Sequence, residues 1–501
     1  MKWMKYVVIV SFISWLIIVI EAVDSTVQPR IIIVGAGAAA IAAASRLYQN
    51  GKTNITILEG SQRLGGRIRS TPFGSGVVEL GAQWCHGEKN NIVYEMASVY
   101  PELLKSSVVM KDAVLMRSNG MLVPDELAVR LMTLAESVVE SQERSAFAGS
   151  LGEFFTQKYW QKLQTDPAYS DVDRDLAEQF AVFYHNYQRA YNAYDTWNEV
   201  AANESDSYVT SEGNQGLAWT SKKGFSVILD IVSGNYPGSV DTTITPVPLD
   251  KLIIYGKFVS NIRWTEPKNA TAIITTDDGT RYEADHVIVT VSLGVLKENY
   301  RTMFTPALPT VNQQAIEGLY FGTVNKIILL FDAPIAEEFP SVLQLLWYES
   351  DLQTLRKSDH AWTEAISFIN RIDNQPNVVS AWINGAAGRQ AELLPEATIV
   401  DGVLHVLGIF VKNMRFGKVQ AVLRSNWSSD RHFRGSYSSR SMTTEQLNTG
   451  AKFLATPLIN DSGKPVVLFA GEATNQKRFS TVHGAIESGR READRLLIFY
   501  S

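Results

Sequence analysis

Three small residues and one carboxylate near the amino terminus could together bind a cofactor that contains phosphate. Gly35, Gly37 and Ala40 follow the spacing G-x-G-x-x-A, and Glu59 lies about twenty residues further on. Gly35 permits a tight turn, Gly37 lets the backbone approach a pyrophosphate, and Ala40 allows a helix and a strand to pack closely. Glu59 can accept hydrogen bonds from the hydroxyl groups of a ribose. These residues therefore predict a binding site for a dinucleotide.

The site requires a strand, a turn, a helix and a second strand in that order. The apolar run 31–34 predicts the first strand, the alanine-rich stretch through Asn50 predicts the helix, and residues 55–58 predict a second strand that ends at Glu59. A pyrophosphate would lie at the amino end of the helix, where free N–H groups and the helix dipole favour an anion. G-x-G-x-x-A also occurs in ordinary turns, but here it lies within a complete βαβ unit.

The residues after Glu59 indicate which dinucleotide is bound. The stretch from Gly60 to Arg67 reads Gly-Ser-Gln-Arg-Leu-Gly-Gly-Arg, which resembles the second glycine motif of the FAD-dependent amine oxidases. In that family Gly65, Gly66 and Arg67 would continue the pyrophosphate site. NAD-binding Rossmann domains lack this extension. The resemblance therefore implies FAD as the cofactor.

Later segments resemble other cofactor-binding parts of the same family. Residues 468–474 resemble its second FAD signature, in which Glu472 would bind the ribityl chain. Residues 481–485 would begin a helix whose amino end faces the flavin pyrimidine and stabilises negative charge on the reduced ring. The backbone of Val259 would contact adenine. The other cofactor-binding positions implied here are Trp427, Gly471, Thr481 and Val482.

Residues 81–87, which read Gly-Ala-Gln-Trp-Cys-His-Gly, resemble the segment beside the flavin ring in polyamine oxidases. Two glycines that bracket an indole and an imidazole suit a backbone pressed against a planar ring. His86 lies where the animal enzymes of this family carry a histidine. Since histidine titrates near neutral pH, it could hydrogen-bond a substrate nitrogen or help to keep it unprotonated. The cofactor contacts implied by this resemblance are Gly81, Ala82, Gln83 and Trp84.

Three further side chains complete the catalytic set that the resemblance implies. Residues 320–327 match the strand that supplies the family's flavin-facing lysine, so Lys326 is expected to hold a water near flavin N5. Tyr437 matches one wall of the aromatic cage that stabilises a cationic amine. Thr481 replaces the second cage aromatic of the monoamine oxidases, which is the pattern of animal polyamine oxidases. Ser436 stands where those enzymes carry a flavin-linking cysteine, so we expect noncovalent FAD.

The chain is long enough for two domains. Its 501 residues exceed the roughly 250–300 at which one core stops growing. A Rossmann-like FAD-binding domain is expected to be assembled from residues 29–105, 215–300 and 422–501. The substrate-binding domain would take residues 106–214, where the periodicity is helical, and 301–421, where strands precede a helix. The predicted fold class is α/β, with an α+β substrate domain made of a sheet and helices.

Charge and the amino terminus limit the partners and the location. A formal net charge of -6 argues weakly against a nucleic-acid partner. The apolar run 6–20 follows a positively charged start and is too short to span a bilayer comfortably, so residues 1–25 predict a signal peptide and a secreted, extracellular protein. No stable membrane span is expected after cleavage, although an uncleaved membrane anchor is the alternative. Asn203 and Asn269 are the favoured glycosylation sites.

The expected function is FAD-dependent oxidation of a secondary amine in a polyamine such as spermine, spermidine or their acetylated forms. The resemblance implies hydride transfer to flavin N5, hydrolysis of the imine to an aldehyde and an amine, and reduction of O2 to H2O2. No metal site is predicted. Two alternatives remain: a secreted L-amino-acid oxidase, which needs an arginine clamp for the substrate carboxylate, and a non-catalytic protein that retains the fold. The family's spermine-binding acidic residue has no clear counterpart here, and Glu212 is a candidate only.

Overall fold

The structure is a computed structural model that describes residues 28–106, 113–203, 208–220, 222–238, 244–265 and 272–501. The expected signal segment 1–25 and Asn269 lie outside these residues. No helix within the described ranges is both long and apolar enough to cross a membrane.

The strands form two six-stranded sheets and several smaller sheets. In chain order they are β1 (Ile31–Val34), β2 (Ile55–Leu58), β3 (Ser70–Phe73), β4 (Gly76–Glu79), β5 (Leu103–Lys105), β6 (Val114–Arg117), β7 (Leu217–Trp219), β8 (Ile253–Ile254), β9 (Val259–Arg263), β10 (Ala272–Thr276), β11 (Arg281–Ala284), β12 (His286–Val289), β13 (Phe304–Thr305), β14 (Tyr320–Gly322), β15 (Val324–Phe331), β16 (Val342–Leu346), β17 (Ile366–Ile372), β18 (Gln375–Asn384), β19 (Val419–Arg424), β20 (Tyr437–Ser439), β21 (Leu458–Ile459) and β22 (Pro465–Phe469).

The α-helices lie between these strands and cover the sheets. In chain order they are α1 (Ala38–Gln49), α2 (Ile92–Ala97), α3 (Asp125–Val139), α4 (Leu151–Thr165), α5 (Arg174–Asn192), α6 (Val227–Ser233), α7 (Leu249–Leu252), α8 (Leu293–Met303), α9 (Thr310–Gly318), α10 (Glu349–Leu355), α11 (Gly385–Ala391), α12 (Glu396–Phe410), α13 (Met442–Gln446), α14 (Ala451–Leu454) and α15 (Val482–Phe499).

The first large sheet has the strand order β21-β22-β12-β1-β2-β8, and every neighbouring pair except β21 and β22 is parallel. Strand β1 pairs with β2 from Ile31 opposite Ile55 to Val34 opposite Leu58. All four residues of β1 are buried, as expected for a parallel sheet that is covered on both faces. The strands come from three separated stretches of the chain. This confirms the predicted α/β class and the discontinuous assembly of the Rossmann-like part.

Helices α1 and α15 pack closely against each other beside this sheet. Alanine occupies six positions of α1, and all six are buried, so the helix presents a small, smooth surface. On α15, a Cβ added at Gly489 would lie only 2.1 Å from the carbonyl oxygen of Ala39. The small residues therefore set the position of α1, and with it the direction of the N–H groups at its amino end.

The second large sheet has the order β19-β15-β18-β17-β16-β6. Its strand β15 pairs antiparallel with β18 and β19, and Lys326 lies opposite Trp382. Residues Ala361–Ala365 form a 3-10 helix, and β17 begins at Ile366 directly after it. Residues 422–424 also belong to this sheet, although the expected FAD-binding domain includes them. The domain boundaries themselves stay predictions.

Three long helices confirm the helical periodicity expected in the first insertion. Helices α3, α4 and α5 share a buried cluster that includes Leu131, Phe155, Phe180 and Tyr184. Helix α5 also packs against strands of the second large sheet. It thereby brings its carboxyl-terminal turns, with Tyr187 and further side chains, to the edge of a large cavity.

The packing of α1 on α15 predicts an effect on stability. Gly489→Ala should lower the free energy of unfolding by about 1–3 kcal/mol, because the added methyl group overlaps the Ala39 carbonyl. Gly408→Ala is the matched control: this glycine is also inside a helix, and a Cβ there would meet no atom within 4 Å. It should instead raise the free energy of unfolding by about 0.5–1 kcal/mol. Urea denaturation measures both changes, and equal effects in the two variants would contradict this account.

Candidate active site

A cavity of about 1340 Å³ lies between residues of the two large sheets. The four expected catalytic residues, Lys326, His86, Tyr437 and Thr481, all line it. All but one of the expected cofactor-binding residues also line it, namely Gly35, Gly37, Glu59, Gly65, Gly66, Arg67, Gly81, Ala82, Gln83, Trp84, Val259, Trp427, Gly471, Glu472, Thr481 and Val482. Ala40 is the exception and is fully buried in α1. The structure thus brings sites together that are distant in the sequence.

Two glycine turns meet at the amino end of α1. The N–H of Gly65 donates to the carbonyl oxygen of Ala36 at 2.8 Å, and a Cβ on Gly66 would lie 3.2 Å from the Cα of Gly37. Gly37 is the N-cap residue, and no side chain caps the helix. The first N–H groups of α1 therefore stay available to an anion, in a cradle that larger residues would fill. This arrangement fits the pyrophosphate of a dinucleotide.

Glu59 holds the end of β2 against the turn that follows β1. One carboxylate oxygen accepts the N–H of Ala36 at 2.7 Å, and the other accepts the N–H and hydroxyl groups of Ser61 at 2.8 and 2.6 Å. The side chain is buried, but it lines the cavity. A carboxylate has about four acceptor positions, so one remains for a ribose hydroxyl.

Arg67 and Glu472 connect the first and last stretches of the chain. The Nη1 atom of Arg67 donates to Glu472 and to the carbonyl oxygen of Ser436, both at 2.8 Å. The second carboxylate oxygen of Glu472 accepts the Ser438 hydroxyl at 2.6 Å and the Ser480 N–H at 2.7 Å. Because this ion pair is largely buried and both side chains make further hydrogen bonds, it fixes the cavity wall. The role of Glu472 toward the ribityl chain stays a prediction.

Lys326 is the best-coordinated cation of the cavity. Its Nζ atom donates to the carbonyl oxygens of Glu79 and Gly81, both at 2.8 Å, and to Oε1 of Gln83 at 2.7 Å. It also lies 4.4 Å from the ring centre of Trp382, its neighbour across the sheet. These contacts use all three N–H groups of an ammonium. A water held by this lysine, as expected from the sequence, would have to replace one of the three oxygens.

Two opposed effects act on the charge of Lys326. Burial lowers the pKa of this lysine below its ordinary value, and the nearby Glu79 carboxylate opposes that effect. Burial likewise raises the pKa of Glu79, against the hydrogen bonds from the Phe225 N–H and the Ser70 hydroxyl. Three oxygen acceptors around Nζ match an ammonium and would leave a neutral amine one donor short. The arrangement therefore favours the charged lysine in spite of its burial.

His86 lies in the cavity with a defined hydrogen bond. Its Nδ1 atom is 2.7 Å from the carbonyl oxygen of Gln215, so we assign the proton to Nδ1 and a free electron pair to Nε2. Burial lowers the pKa of His86. The imidazole is therefore neutral at physiological pH. Trp84 lies beside it and stacks on Trp382 with ring centres 5.7 Å apart.

Tyr437 and Thr481 also line the cavity, and both come from the carboxyl-terminal part of the chain. The Tyr437 hydroxyl donates to the carbonyl oxygen of Ala190, which fixes the ring, and burial raises the pKa of this phenol. Thr481 caps α15: its Oγ1 atom accepts the N–H of Gly484 at 3.0 Å and donates to the carbonyl oxygen of Arg478 at 2.6 Å. Thr481 therefore orients the amino end of α15.

Sequence reasoning missed three residues of this site. Glu79 and Trp382 contact Lys326, Trp382 as its neighbour across the second large sheet and Glu79 through its carbonyl oxygen at the end of β4, and sequence spacing reveals neither contact. Glu88 lines the cavity. By contrast Glu212, the acidic candidate from the sequence, forms an exposed ion pair with Lys89 at 2.9 Å and is not part of the lining. The closeness of Glu88 to His86 in the sequence was the available signal.

Cys85 also lines the cavity, but it is not a reactive thiol. The side chain is buried and accepts a hydrogen bond from Nδ2 of Asn91 at 3.5 Å. Burial raises the pKa of the thiol to about 12, so the nucleophilic thiolate does not form at physiological pH.

Comparison with known proteins agrees with this geometry. Residues 41–497 match the family model described as flavin containing amine oxidoreductase. The chain is 30% identical to the human protein named peroxisomal N(1)-acetyl-spermine/spermidine oxidase, over 94% of this chain and 96% of the relative. It is 29% identical to the bovine protein of the same name and to the Arabidopsis thaliana protein named probable polyamine oxidase 5. These matches confirm the resemblance found in the sequence and the FAD cofactor.

The comparisons correct the expected location. The human and bovine relatives are named as peroxisomal proteins. The prediction of a secreted, extracellular protein is therefore wrong. It depended on the apolar run within residues 1–25, where the hydropathy pattern was the sole indication. The glycosylation expected at Asn203 and Asn269 depends on secretion, so it is no longer expected.

The contact between the glycine turns predicts an effect on cofactor binding. Gly66→Ala should raise the Kd for FAD about tenfold or more, because the methyl group pushes the turn away from Gly37 and misdirects the cradle. Gly51→Ala is the matched control: it also has a positive φ, but a Cβ there meets no atom within 4 Å. Flavin absorbance during titration with FAD measures both, and equal losses of affinity would show that backbone strain alone is responsible.

His483 predicts how stability depends on pH. Its side chain is buried, and burial, followed by the charge of Arg478, lowers its pKa to about 3. The unfolded chain would take up a proton near pH 6.5 that the folded chain refuses, so the free energy of unfolding should fall as the pH falls below about 6.5. His483→Gln should reduce that slope by up to about 1.4 kcal/mol per pH unit. Urea denaturation between about pH 7 and about pH 5 tests this, and identical slopes would refute it.

Proposed function

The chain belongs to the family of flavin-containing amine oxidoreductases, and we propose that it oxidises a secondary amine of a polyamine. It is a FAD-dependent amine oxidase. The observation that carries the proposal is that one cavity joins the dinucleotide cradle to Lys326, His86 and Tyr437. The human relative is named for acetylated spermine and spermidine, which supports a polyamine as the substrate.

The bound FAD would supply the redox chemistry, accepting a hydride from the amine and passing two electrons to O2. The chain's own residues bind and orient the reactants. His86 is neutral with its Nε2 electron pair free, so it can accept a proton from a substrate ammonium. An amine that reaches the flavin unprotonated has the electron pair that loss of a hydride from the neighbouring carbon requires. Water then hydrolyses the imine to an aldehyde and a shorter amine.

Tyr437 positions the amine through its aromatic face. The phenol is anchored to the backbone at Ala190, and its raised pKa keeps it uncharged. A neutral ring can contact a cationic nitrogen or the methylene groups beside it. Thr481 holds the amino end of α15 toward the cavity, where its dipole would stabilise negative charge on the reduced flavin.

Noncovalent binding of FAD is supported by the surroundings of Ser436. Its hydroxyl accepts the N–H of Val324 and donates to the carbonyl oxygen of the same residue, both at 2.8 Å. This serine is thus part of the contact between β15 and the segment before β20. A serine in such a position offers no thiol to the flavin.

The arginines of the cavity argue against the alternative of an L-amino-acid oxidase. Arg67, Arg144 and Arg440 line the cavity, and each already has protein partners. Arg67 binds Glu472, Arg440 binds Glu445, and Arg144 donates to the carbonyl oxygens of Val139 and Ala202. A clamp for a substrate carboxylate would need a guanidinium with both donors of one edge available. Arg144 and Arg440 have no such edge, and Arg67, which is hydrogen-bonded through Nη1, is the residue expected at the FAD pyrophosphate.

The test is peroxide release by the FAD-loaded protein across a panel of amines. Spermine, spermidine, their acetylated forms, monoamines and L-amino acids are compared at equal concentration. We expect peroxide and an aldehyde from at least one polyamine, with a far smaller kcat/KM for monoamines and L-amino acids. Peroxide from L-amino acids alone would contradict the proposal.

Lys326 predicts a loss of turnover without a loss of cofactor. Lys326→Met should lower kcat by about tenfold or more, because it removes the cation beside the expected flavin position and its hydrogen bonds to residues 79–83. The variant should stay yellow and FAD-loaded. Stopped-flow absorbance resolves the reductive and oxidative half-reactions.

The matched control is Lys297→Met. Lys297 is also partly buried and donates to a carbonyl oxygen, that of Glu317, but it lies outside the cavity lining. It should leave both half-reactions unchanged. Unchanged half-reactions in Lys326→Met would remove the assigned role of Lys326.

A further inference from the structure

Glu79 is an acidic residue beside Lys326 whose side chain the chemistry above does not use. Its backbone carbonyl oxygen accepts a hydrogen bond from Nζ of Lys326 at 2.8 Å. Its side chain is partly buried and is not part of the cavity lining. The carboxylate therefore does not contact the substrate or the flavin, and any effect it has on the reaction must act through another residue.

The carboxylate of Glu79 lies in a pocket of hydrogen-bond donors. Its Oε1 atom accepts the N–H of Phe225 at 2.7 Å, and its Oε2 atom accepts the Ser70 hydroxyl at 2.8 Å. Ser70 in turn accepts the N–H of Ser226 at 3.0 Å, which leaves its hydroxyl proton for Glu79. Gly224 has a φ of +60°, and a Cβ there would lie 2.1 Å from Oε1, so only glycine lets this turn close around the carboxylate. Donors on both oxygens favour the ionised glutamate.

Lys326 and Glu79 are each other's counter-charge. Because Glu79 carries both the carbonyl that binds Nζ and the carboxylate, the two charges are no more than about 9 Å apart. Among the residues that the structure describes, Lys326 is the one cation whose charge acts on the pKa of Glu79, and Glu79 is the one anion whose charge acts on the pKa of Lys326. At this separation and in a partly dry setting, each charge still stabilises the other.

The other groups around the two side chains bring no further charge close to them. Beside Lys326 they are Gln83, Trp382 and Ser425. Beside Glu79 they are the Ser70 hydroxyl and the backbone of the turn 224–226. The ammonium of Lys223, which precedes that turn, is exposed and binds Asp230. Removing the Glu79 charge would therefore leave the Lys326 ammonium without a nearby anion.

We propose that Glu79 is a positioning residue whose carboxylate keeps Lys326 protonated while O2 reoxidises the flavin. This rests on the proposed function and concerns how pH controls that site. In this half-reaction O2 takes two electrons from the reduced cofactor and two protons, one from the cofactor and one from the solvent, and becomes H2O2. A fixed ammonium stabilises the negative charge that develops on O2. Glu79 thus sets the highest pH at which reoxidation runs at its full rate.

The experiment follows reoxidation of the flavin in full-length, FAD-loaded protein between about pH 6 and about pH 10. The flavin is reduced anaerobically with stoichiometric dithionite, so that no amine is needed, and is then mixed with O2 in a stopped-flow instrument. Glu79→Gln keeps an acceptor for Phe225 but removes the charge, whereas Glu79→Asp keeps the charge. Glu392→Gln is the matched control: Glu392 is a buried carboxylate that accepts from Asn325, the neighbour of Lys326 in β15, whose side chain points to the opposite face of the sheet.

We expect the rate constant for reoxidation to fall at high pH, where Lys326 loses its proton. In Glu79→Gln this fall should move to lower pH by about one unit or more, because the ammonium has lost its counter-charge. Glu79→Asp and Glu392→Gln should move it by less than about half a unit. In Lys326→Met the fall should be absent, and adding Glu79→Gln should slow reoxidation no further, since Glu79 acts through the lysine.

An unshifted fall in Glu79→Gln, or the same shift in Glu392→Gln, would overturn the role of Glu79. If Glu79→Gln does not bind FAD, Ser70→Ala replaces it: this variant removes one donor from the carboxylate, weakens the anion and should shift the fall in the same direction by a smaller amount. An unshifted fall in Ser70→Ala would then overturn the role. Failure of the proposed function is a separate result, because it would appear as flavin that no polyamine reduces, whereas reoxidation is measured without an amine.

Discussion

The contacts of the Lys326 ammonium are the constraint on which the site depends. Lys326 belongs to the second large sheet, whereas its acceptors Gly81 and Gln83 belong to the segment expected to run beside the flavin, and Glu79 ends the strand β4 just before it. One side chain therefore joins the substrate side of the molecule to the cofactor side. A buried ammonium with fewer than three acceptors would be costly, so the backbone at residues 79–83 is held where the lysine requires it.

The Arg67–Glu472 ion pair does the same for the two ends of the cofactor-binding part. Arg67 follows the second glycine turn, and Glu472 follows β22 in the last stretch of the chain. The pair closes the cavity wall around the cradle formed at the amino end of α1. Since the stretches meet only in the folded chain, the cofactor site forms only when the first large sheet is complete. Tight packing of α1 on α15 holds the cradle in a fixed position relative to that sheet.

Local patterns explain what the sequence could predict. The turn at Gly35 and Gly37 and the carboxylate Glu59 depend on backbone conformation within one βαβ unit, so their positions follow from spacing. The resemblance supplied Lys326 and His86, but not their partners, because the acceptors of Lys326 lie 243 to 247 residues earlier in the chain. Glu212 pairs with Lys89 in an isolated bridge and is exposed, whereas Glu88 lines the cavity, and spacing alone does not reveal that difference.

Hydropathy was the least reliable signal. The apolar run near the amino terminus indicated secretion, but composition alone does not identify an address, and the peroxisomal relatives contradict it. A hydrophobic run of this kind is compatible with more than one kind of segment.

The most direct test of the account is the reduction of bound flavin by a polyamine without oxygen. FAD-loaded protein is mixed anaerobically with spermine or acetylspermine, and the absorbance of oxidised flavin is followed. We expect it to disappear with saturation kinetics, and to return on admission of O2 with one equivalent of H2O2 per flavin. Flavin that is fully bound yet stays oxidised with every polyamine would contradict the central claim.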